Sequence, residues 1–274
     1  MATSPQTYRR ARFGSVLRRL REQRKLTQSA VAAQVGVGVD KINRVESGRV
    51  KLEVPLLRTL LDTYGVQDQV RRDAMEDMVV NLAKPDWWAS YSLHLALQDY
   101  LGLEKDALAA WAWEPLLVHG RMQTKRYAEA LLSAGESVIP GGRERVENMV
   151  AVRMHRQEVV TSSLTVVLNS AALDTEVGGP DVMREQIAHL LTRSEVDLRI
   201  LLAGRPHVGL DGAFTKLRFP DGGELACVES LVTTSYYDDA DSLTLYERAA
   251  GQLTELALDR SASRAYLEER ARVL

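Results

Sequence analysis

The chain has a single cysteine, Cys227, in 274 residues, so no internal disulfide can staple it and the fold must rest on packing. That usage fits a reducing, cytoplasmic compartment. No stretch approaches the roughly eighteen consecutive apolar residues needed to cross a bilayer, which argues against a membrane partner. Residues 1–12 carry arginines with no apolar segment behind them, so they do not read as a secretory signal. The five histidines, His94, His119, His155, His189 and His207, stand too far apart to form a metal-ligand motif. Gly178-Gly179-Pro180 comes nearest to a phosphate loop but has neither dinucleotide-binding nor Walker spacing. It reads as a turn with proline at the first position of a helix. Cys227 lies in an apolar, strand-like run and reads as a small core residue. No catalytic set, metal or cofactor is implied, so an enzyme is the disfavoured reading. Internal repeats and low-complexity tracts are absent as well.

What the chain does have is an uneven distribution of charge. Its formal net charge is −2, from 35 Lys and Arg against 37 Asp and Glu. Residues 1–60 hold 13 basic against 4 acidic residues, which leaves 22 against 33 for the remainder. A basic head on an acidic body suits a head that meets a polyanion, although a solvated basic helix face gives the same count.

The head reads as five helices. Phe13, Val16, Leu17 and Leu20 recur at helical spacing over 13–24. Thr27 is placed to cap a second helix with Val31, Ala32 and Val35 inward, and Gly36 ends it. A third helix runs from Val39 to Ser47 with Ile42 and Val45 inward and Gly48 as its stop. Pro55 suits the first turn of a fourth, which ends at Gly65. A fifth spans about 67–83, closed by Pro85. This sets domains of 1–85 and 86–274. The body reads as helices at 92–101, 104–112, 124–134 and 142–161. Strand-like runs follow at Leu164–Leu168, Val196–Leu202, Phe214–Phe219, Leu225–Glu229 and Leu231–Tyr236. Further helices are expected at 181–193, 240–258 and 261–271. The expected fold class is a mainly α N-terminal domain followed by an α+β C-terminal domain.

The stretch Leu26-Thr27-Gln28, Gly36-Val37 and Ile42-Asn43-Arg44-Val45-Glu46-Ser47-Gly48 resembles the XRE, or lambda-repressor-like, helix-turn-helix, over Phe13 to about residue 82. The resemblance implies a third helix that enters a DNA major groove about 12 Å wide while the second crosses the backbone. It also implies a structural ion pair of Arg21 with Glu46. At about 100° per residue, Asp40, Asn43 and Arg44 face outward and Val39 sits at the flank nearest the helix start. Arg44 then suits guanine O6 and N7, Asn43 an adenine or a phosphate, Val39 a thymine methyl and Asp40 a cytosine amine. Gln28, Lys41, Arg49 and Lys51 are placed to hold phosphates. The alternatives are that Asp40 merely favours its helix N-terminus and that Arg49 and Lys51 are solvated. Gly38 stands where a Ser or Thr cap is common, and Asp40 repels phosphate.

The body carries a second resemblance. The segments WEPLLVHGRMQTKRYAEALL (113–132), VRMHRQEVV (152–160), VGGPDVMREQIAHLL (177–191) and GLDGAFTKLRFPDG (209–222) are similar to an uncharacterised C-terminal domain common in actinobacterial XRE regulators. Such regulators are often described as antitoxin-like and neighbour a gene for a small partner protein, which the resemblance implies here. Trp87, Trp88, Trp111 and Trp113 cluster in sequence and suit a ligand pocket, a partner surface or packing between domains. Tyr236-Tyr237 followed by Asp238, Asp239 and Asp241 suits a basic partner, or a helix start.

The leading expectation is a regulator of double-stranded DNA, a homodimer on a palindromic operator, whose body dimerises and senses a small-molecule effector or a partner. The alternative is an antitoxin-like interaction module that holds a small protein encoded nearby and regulates its own operon.

Overall fold

The computed structural model of the chain describes residues 8–84, 86–91, 93–138, 140–230 and 233–274. Pro85, Ser92 at the start of the helix expected over 92–101, and Leu231 at the start of the last expected strand lie outside those residues, as does the segment 1–7. The chain divides into two compact units. One runs through Asp106 and includes Phe219–Gly223; the other comprises Ala107–Arg218 and Glu224–Leu274. Residues 86–106, assigned above to the C-terminal domain, group with the first unit.

The first unit contains α1 (Tyr8–Gln23), α2 (Gln28–Val35), α3 (Val39–Glu46), α4 (Val54–Thr63) and α5 (Gln69–Ala83). A 3-10 turn at Trp87–Ser90 and α6 (Leu95–Asp106) follow. Local chemistry sets these boundaries. The Thr27 side chain accepts from the Ala30 N–H at 3.1 Å and the Asp68 side chain from the Arg71 N–H at 3.2 Å, each satisfying an orphan helix donor. Pro55 sits in the first turn of α4. Phe13, Leu17, Val31, Ile42, Leu57 and Leu61 meet in one core, each contributing roughly 1.5–3 kcal/mol on burial.

Two arginines of α1 turn inward. Arg9 donates to both carboxylate oxygens of Asp106 and, at 2.9 Å, to Asp86. Arg12 pairs with Asp221 at 2.8 Å, both side chains buried, and its guanidinium lies 3.4 Å over the Phe219 ring.

The second unit is built on a six-stranded mixed sheet, in the order β3-β2-β1-β4-β5-β6. The strands are β1 (Ala109–Glu114), β2 (Ser163–Asn169), β3 (Asp197–Leu201), β4 (Phe214–Arg218), β5 (Glu224–Glu229) and β6 (Thr234–Tyr237). The helix expected over 104–112 is corrected here: α6 stops at Asp106 and Ala109–Glu114 is a central strand. Alanine and glutamate favour helix locally. Pairing with β2 on one side and β4 on the other supplies two ladders that this propensity cannot match.

Strands β1, β2 and β3 are parallel, while β4, β5 and β6 run antiparallel in turn. The parallel strands are joined through α7 (Lys125–Ala134) and α8 (Gly142–Val159), then through α9 (Ala171–Asp174) and α10 (Pro180–Thr192). Both crossovers step in one direction along the sheet, so a common hand places their helices on one face; α7 packs on both α8 and α10. The other face, with Trp113, Val167 and Phe214, is covered by Ala249, Ala250 and Leu253 of α11 (Ala240–Leu256). The outer edge of β3 is closed by the approach to α12 (Arg260–Arg272). The Ile200 N–H donates to the Ser263 hydroxyl at 2.9 Å, and the Ile200 carbonyl accepts from the Leu258 N–H at 2.8 Å. Among the described residues no helix is long and apolar enough to cross a membrane.

Candidate nucleic-acid interface

Helix α3 is held by a buried polar knot. Arg21 of α1 grips Glu46 with two parallel bonds, Nε to Oε1 at 2.6 Å and Nη2 to Oε2 at 2.9 Å. Its remaining Nη1 donates to the Leu26 carbonyl at 2.7 Å, which fixes the entry into α2. The Glu46 carboxylate holds the Arg21 guanidinium above its ordinary pKa through this hydrogen bonding. Gln28 Nε2 donates to Glu46 Oε2 at 2.8 Å, so one carboxylate ties the first three helices together. Gln28 was expected at a phosphate; one of its two amide protons is committed to Glu46, leaving one for an outside acceptor.

The end of α3 is fixed by backbone geometry. Gly48 adopts φ +68°, the Arg49 N–H bonds the Arg44 carbonyl at 2.8 Å, and the Gly48 N–H bonds Val45 at 3.0 Å. This double closure ends the helix and turns the chain away. The first helix then crosses α3 in backbone contact. A Cβ at Gly14 would lie 2.5 Å from the Glu46 carbonyl oxygen, and one at Gly48 would lie 2.6 Å from the Ala11 nitrogen. The role of Gly14 was missed in the sequence, where a glycine inside a helical pattern was the available signal.

With Ile42 and Val45 buried, Val39, Asp40, Lys41, Asn43 and Arg44 form the exposed face of α3, and Arg49 and Lys51 are exposed beyond it. Gly38 caps the helix without a side-chain hydrogen bond. Arg44 and Asp40, one turn apart, approach to 4.0 Å on that exposed face. In solvent such a pair is worth little. Replacing Asp40 with Asn should tighten binding to any duplex by removing a negative charge from the exposed face of α3. A titration at two salt concentrations should show the gain shrinking as salt rises; equal or weaker binding by the variant would contradict it.

The aromatic residues fall into separate settings. Trp87 stands edge-on to Trp88 at 5.3 Å and to Tyr91 at 6.1 Å within the first unit. Trp111 and Trp113 belong to β1, where Trp111 packs on Phe214 and Trp113 donates to the Gly209 carbonyl at 2.8 Å. Tyr236 and Tyr237 lie on β6, and Tyr237 meets Tyr246 of α11 at 5.5 Å. Asp239 caps α11, accepting from the Ser242 N–H at 2.9 Å, so a helix start accounts for that aspartate. Gly178 and Gly179 take φ +74° and +92° ahead of Pro180, which opens α10. Cys227 is buried on β5. Among the described residues no group of three His, Cys, Asp or Glu side chains is placed to hold a metal ion.

The knot, the glycine crossing and the exposed helix face are the parts of a helix-turn-helix, and residues 12–75 match a family model described as a helix-turn-helix domain. Comparison with curated proteins returns no match. A second family model, described as a domain of unknown function (DUF5753), matches residues 97–269, more than half of the chain. The protein therefore belongs to the DUF5753 family, with a helix-turn-helix DNA-binding domain ahead of the family's domain.

Proposed function

We propose that this protein is a sequence-specific transcriptional regulator that reads a palindromic operator as a dimer, with the second unit supplying dimerisation and reception of a signal. The observation that carries the reading is α3 itself. Its apolar residues Ile42 and Val45 are buried, and its outer row, Val39, Asp40, Asn43 and Arg44, is solvent-facing on a helix fixed at its C-terminal end. That row has the reach and chemistry to meet base edges, and Lys41, Arg49, Lys51 and the free amide proton of Gln28 stand beside it for phosphates. Two such helices about one DNA turn apart, roughly 34–36 Å, would match half-sites related by a dimer axis.

Genome-wide footprinting of bound DNA tests the proposal by giving the operator and its half-site spacing. Arg44→Ala should then cost about 1–3 kcal/mol on the matched operator and relax preference at one base position. Competition binding against point variants of that operator reads the difference. Uniform weakening across all of them would remove Arg44 from base reading.

A further inference from the structure

Helix α11 covers only part of its sheet face. Across the strands, Val167, Trp113 and Phe214 form one row, and that row packs against α11. The next row toward the start of β1 holds Thr165, Trp111, Lys216 and Ala226. The row beyond it holds Ser163, Ala109, Arg218 and Glu224. Strand alternation turns all three rows to the same face. The last two rows, Ala226 aside, floor a cleft of about 520 Å³ whose wall is one side of α11, from Glu247 through Gly251 to Glu255. Every lining residue belongs to the second unit. The volume is that of a small-molecule site, about 300–1,000 Å³. Parallel strands such as β1 and β2 are ordinarily covered on both faces, so a floor of small and polar side chains across them departs from the usual packing.

Gly251 shows that the opening is built in. A glycine inside a helix destabilises it relative to alanine, and a close neighbour is the common reason for one. A Cβ at Gly251 would meet nothing within 4 Å. No neighbour demands this glycine, and its missing side chain leaves room in the cleft. The floor is rigid where it is aromatic. The Trp111 indole N–H donates to the Thr254 hydroxyl at 3.3 Å, and its ring packs on Phe214 with centroids 5.3 Å apart. With its polar atom satisfied, Trp111 offers a ligand carbon surface. Lys216, its side chain largely buried, is held by an ion pair with Glu247. Among the described residues, the side chains of Thr165, Arg218, Glu224 and Glu255 make no hydrogen bond or ion pair.

We propose that this cleft binds a neutral sugar of one or two rings. Lys216 and Arg218 stand against a cation, and Glu224, Glu247 and Glu255 stand against an anion. An apolar molecule would strip water from Arg218, Glu224 and Glu255 without replacing its hydrogen bonds. The hydroxyl groups of a sugar donate to carboxylates and accept from a guanidinium, while its C–H faces lie on the Trp111 ring. The proposal rests on the second unit being the signal-receiving part and names the class of signal. Arg218 and Glu224 are the last cross-strand pair before the hairpin tip Phe219–Gly223, which groups with the first unit and holds Arg12 through Asp221. A ligand that draws this pair together therefore acts on the tip through the chain itself.

The test is calorimetric titration of the full chain with glucose, galactose, mannose, N-acetylglucosamine, maltose and trehalose. At least one should bind and raise the melting temperature of the second unit. Its phosphorylated and amino derivatives should each bind at least about tenfold more weakly than the neutral parent. Gly251→Leu fills the cleft from a position with open space around it. It should abolish binding while unfolding stays cooperative at or above the wild-type temperature. Glu224→Gln should weaken binding at least about fivefold. No binding by any of these sugars at millimolar concentration overturns the proposal. So does tighter binding of a charged derivative, or binding that Gly251→Leu leaves unchanged. Operator affinity with and without the bound sugar tests the sensing role separately. An unchanged affinity would overturn that role and leave the site standing.

Discussion

Replacing Glu46 with alanine should unfold the helix-turn-helix at temperatures where the wild-type chain is intact. Arg21 and Glu46 are both buried and joined by two hydrogen bonds. Removing the carboxylate strands a guanidinium out of water and leaves the Gln28 amide without its acceptor. Breaking a buried pair in this way costs about 3–5 kcal/mol. A domain of this size holds only about 5–15 kcal/mol in total, so the loss is a large share of it. Denaturant titration followed by circular dichroism should show an early transition from the first unit, with the second unit's transition in place. Glu46→Gln keeps acceptor capacity without the charge and should fall between the two. Replacing Arg21 and Glu46 together by methionine should recover much of the loss, because no unpaired charge is left behind. If alanine at 46 left the transition where it is, the knot would not be what seats α3.

The helix-turn-helix was legible in the sequence because its signals are local. Thr27, Gly36, Gly48 and Pro55 each act within a few residues, and the observed helices begin and end beside them. The charge count was legible only in part. Thirteen basic residues in the first sixty suit a head that meets a polyanion, or a solvated basic helix face. Arg9 and Arg12 instead point inward, to carboxylates 97 and 209 positions away, and no window along the chain can show such partners. The central strand Ala109–Glu114 was misread for the same reason. Its apolar alternation Ala110, Ala112 against Trp111, Trp113 was present, but the partners that make it a strand come from residues 163–168 and 214–218. Glu114 shows the limit most clearly. As a letter it is an unremarkable glutamate after a tryptophan, and only the sheet register sets it level with Glu229, two strands away across β4.

The second large effect is expected from the smallest change. Alanine in place of glycine inside a helix ordinarily stabilises by about 1 kcal/mol. At Gly14 the sign should reverse. The added methyl would lie 2.5 Å from the Glu46 carbonyl oxygen, 2.7 Å from that of Val45 and 2.8 Å from the Glu46 carbonyl carbon, all of them backbone atoms. No flexible side chain can move aside, so α1 and α3 must separate, and overpacking of this kind costs about 1–3 kcal/mol or more. The separation also moves the outer face of α3, on which Asn43 and Arg44 sit. Gly14→Ala should therefore lower the melting temperature of the first unit and weaken operator binding at least about tenfold where the protein is still folded. Gly38 provides the contrast. It sits at φ −71° with nothing within 4 Å of a Cβ, at the unfilled N-cap of the same helix. Gly38→Ser should raise the melting temperature by supplying the missing cap. Opposite shifts for two glycines 24 positions apart would show that seating, rather than glycine content, limits the stability of the recognition helix. A Gly14→Ala chain as stable as the wild type would refute the backbone crossing.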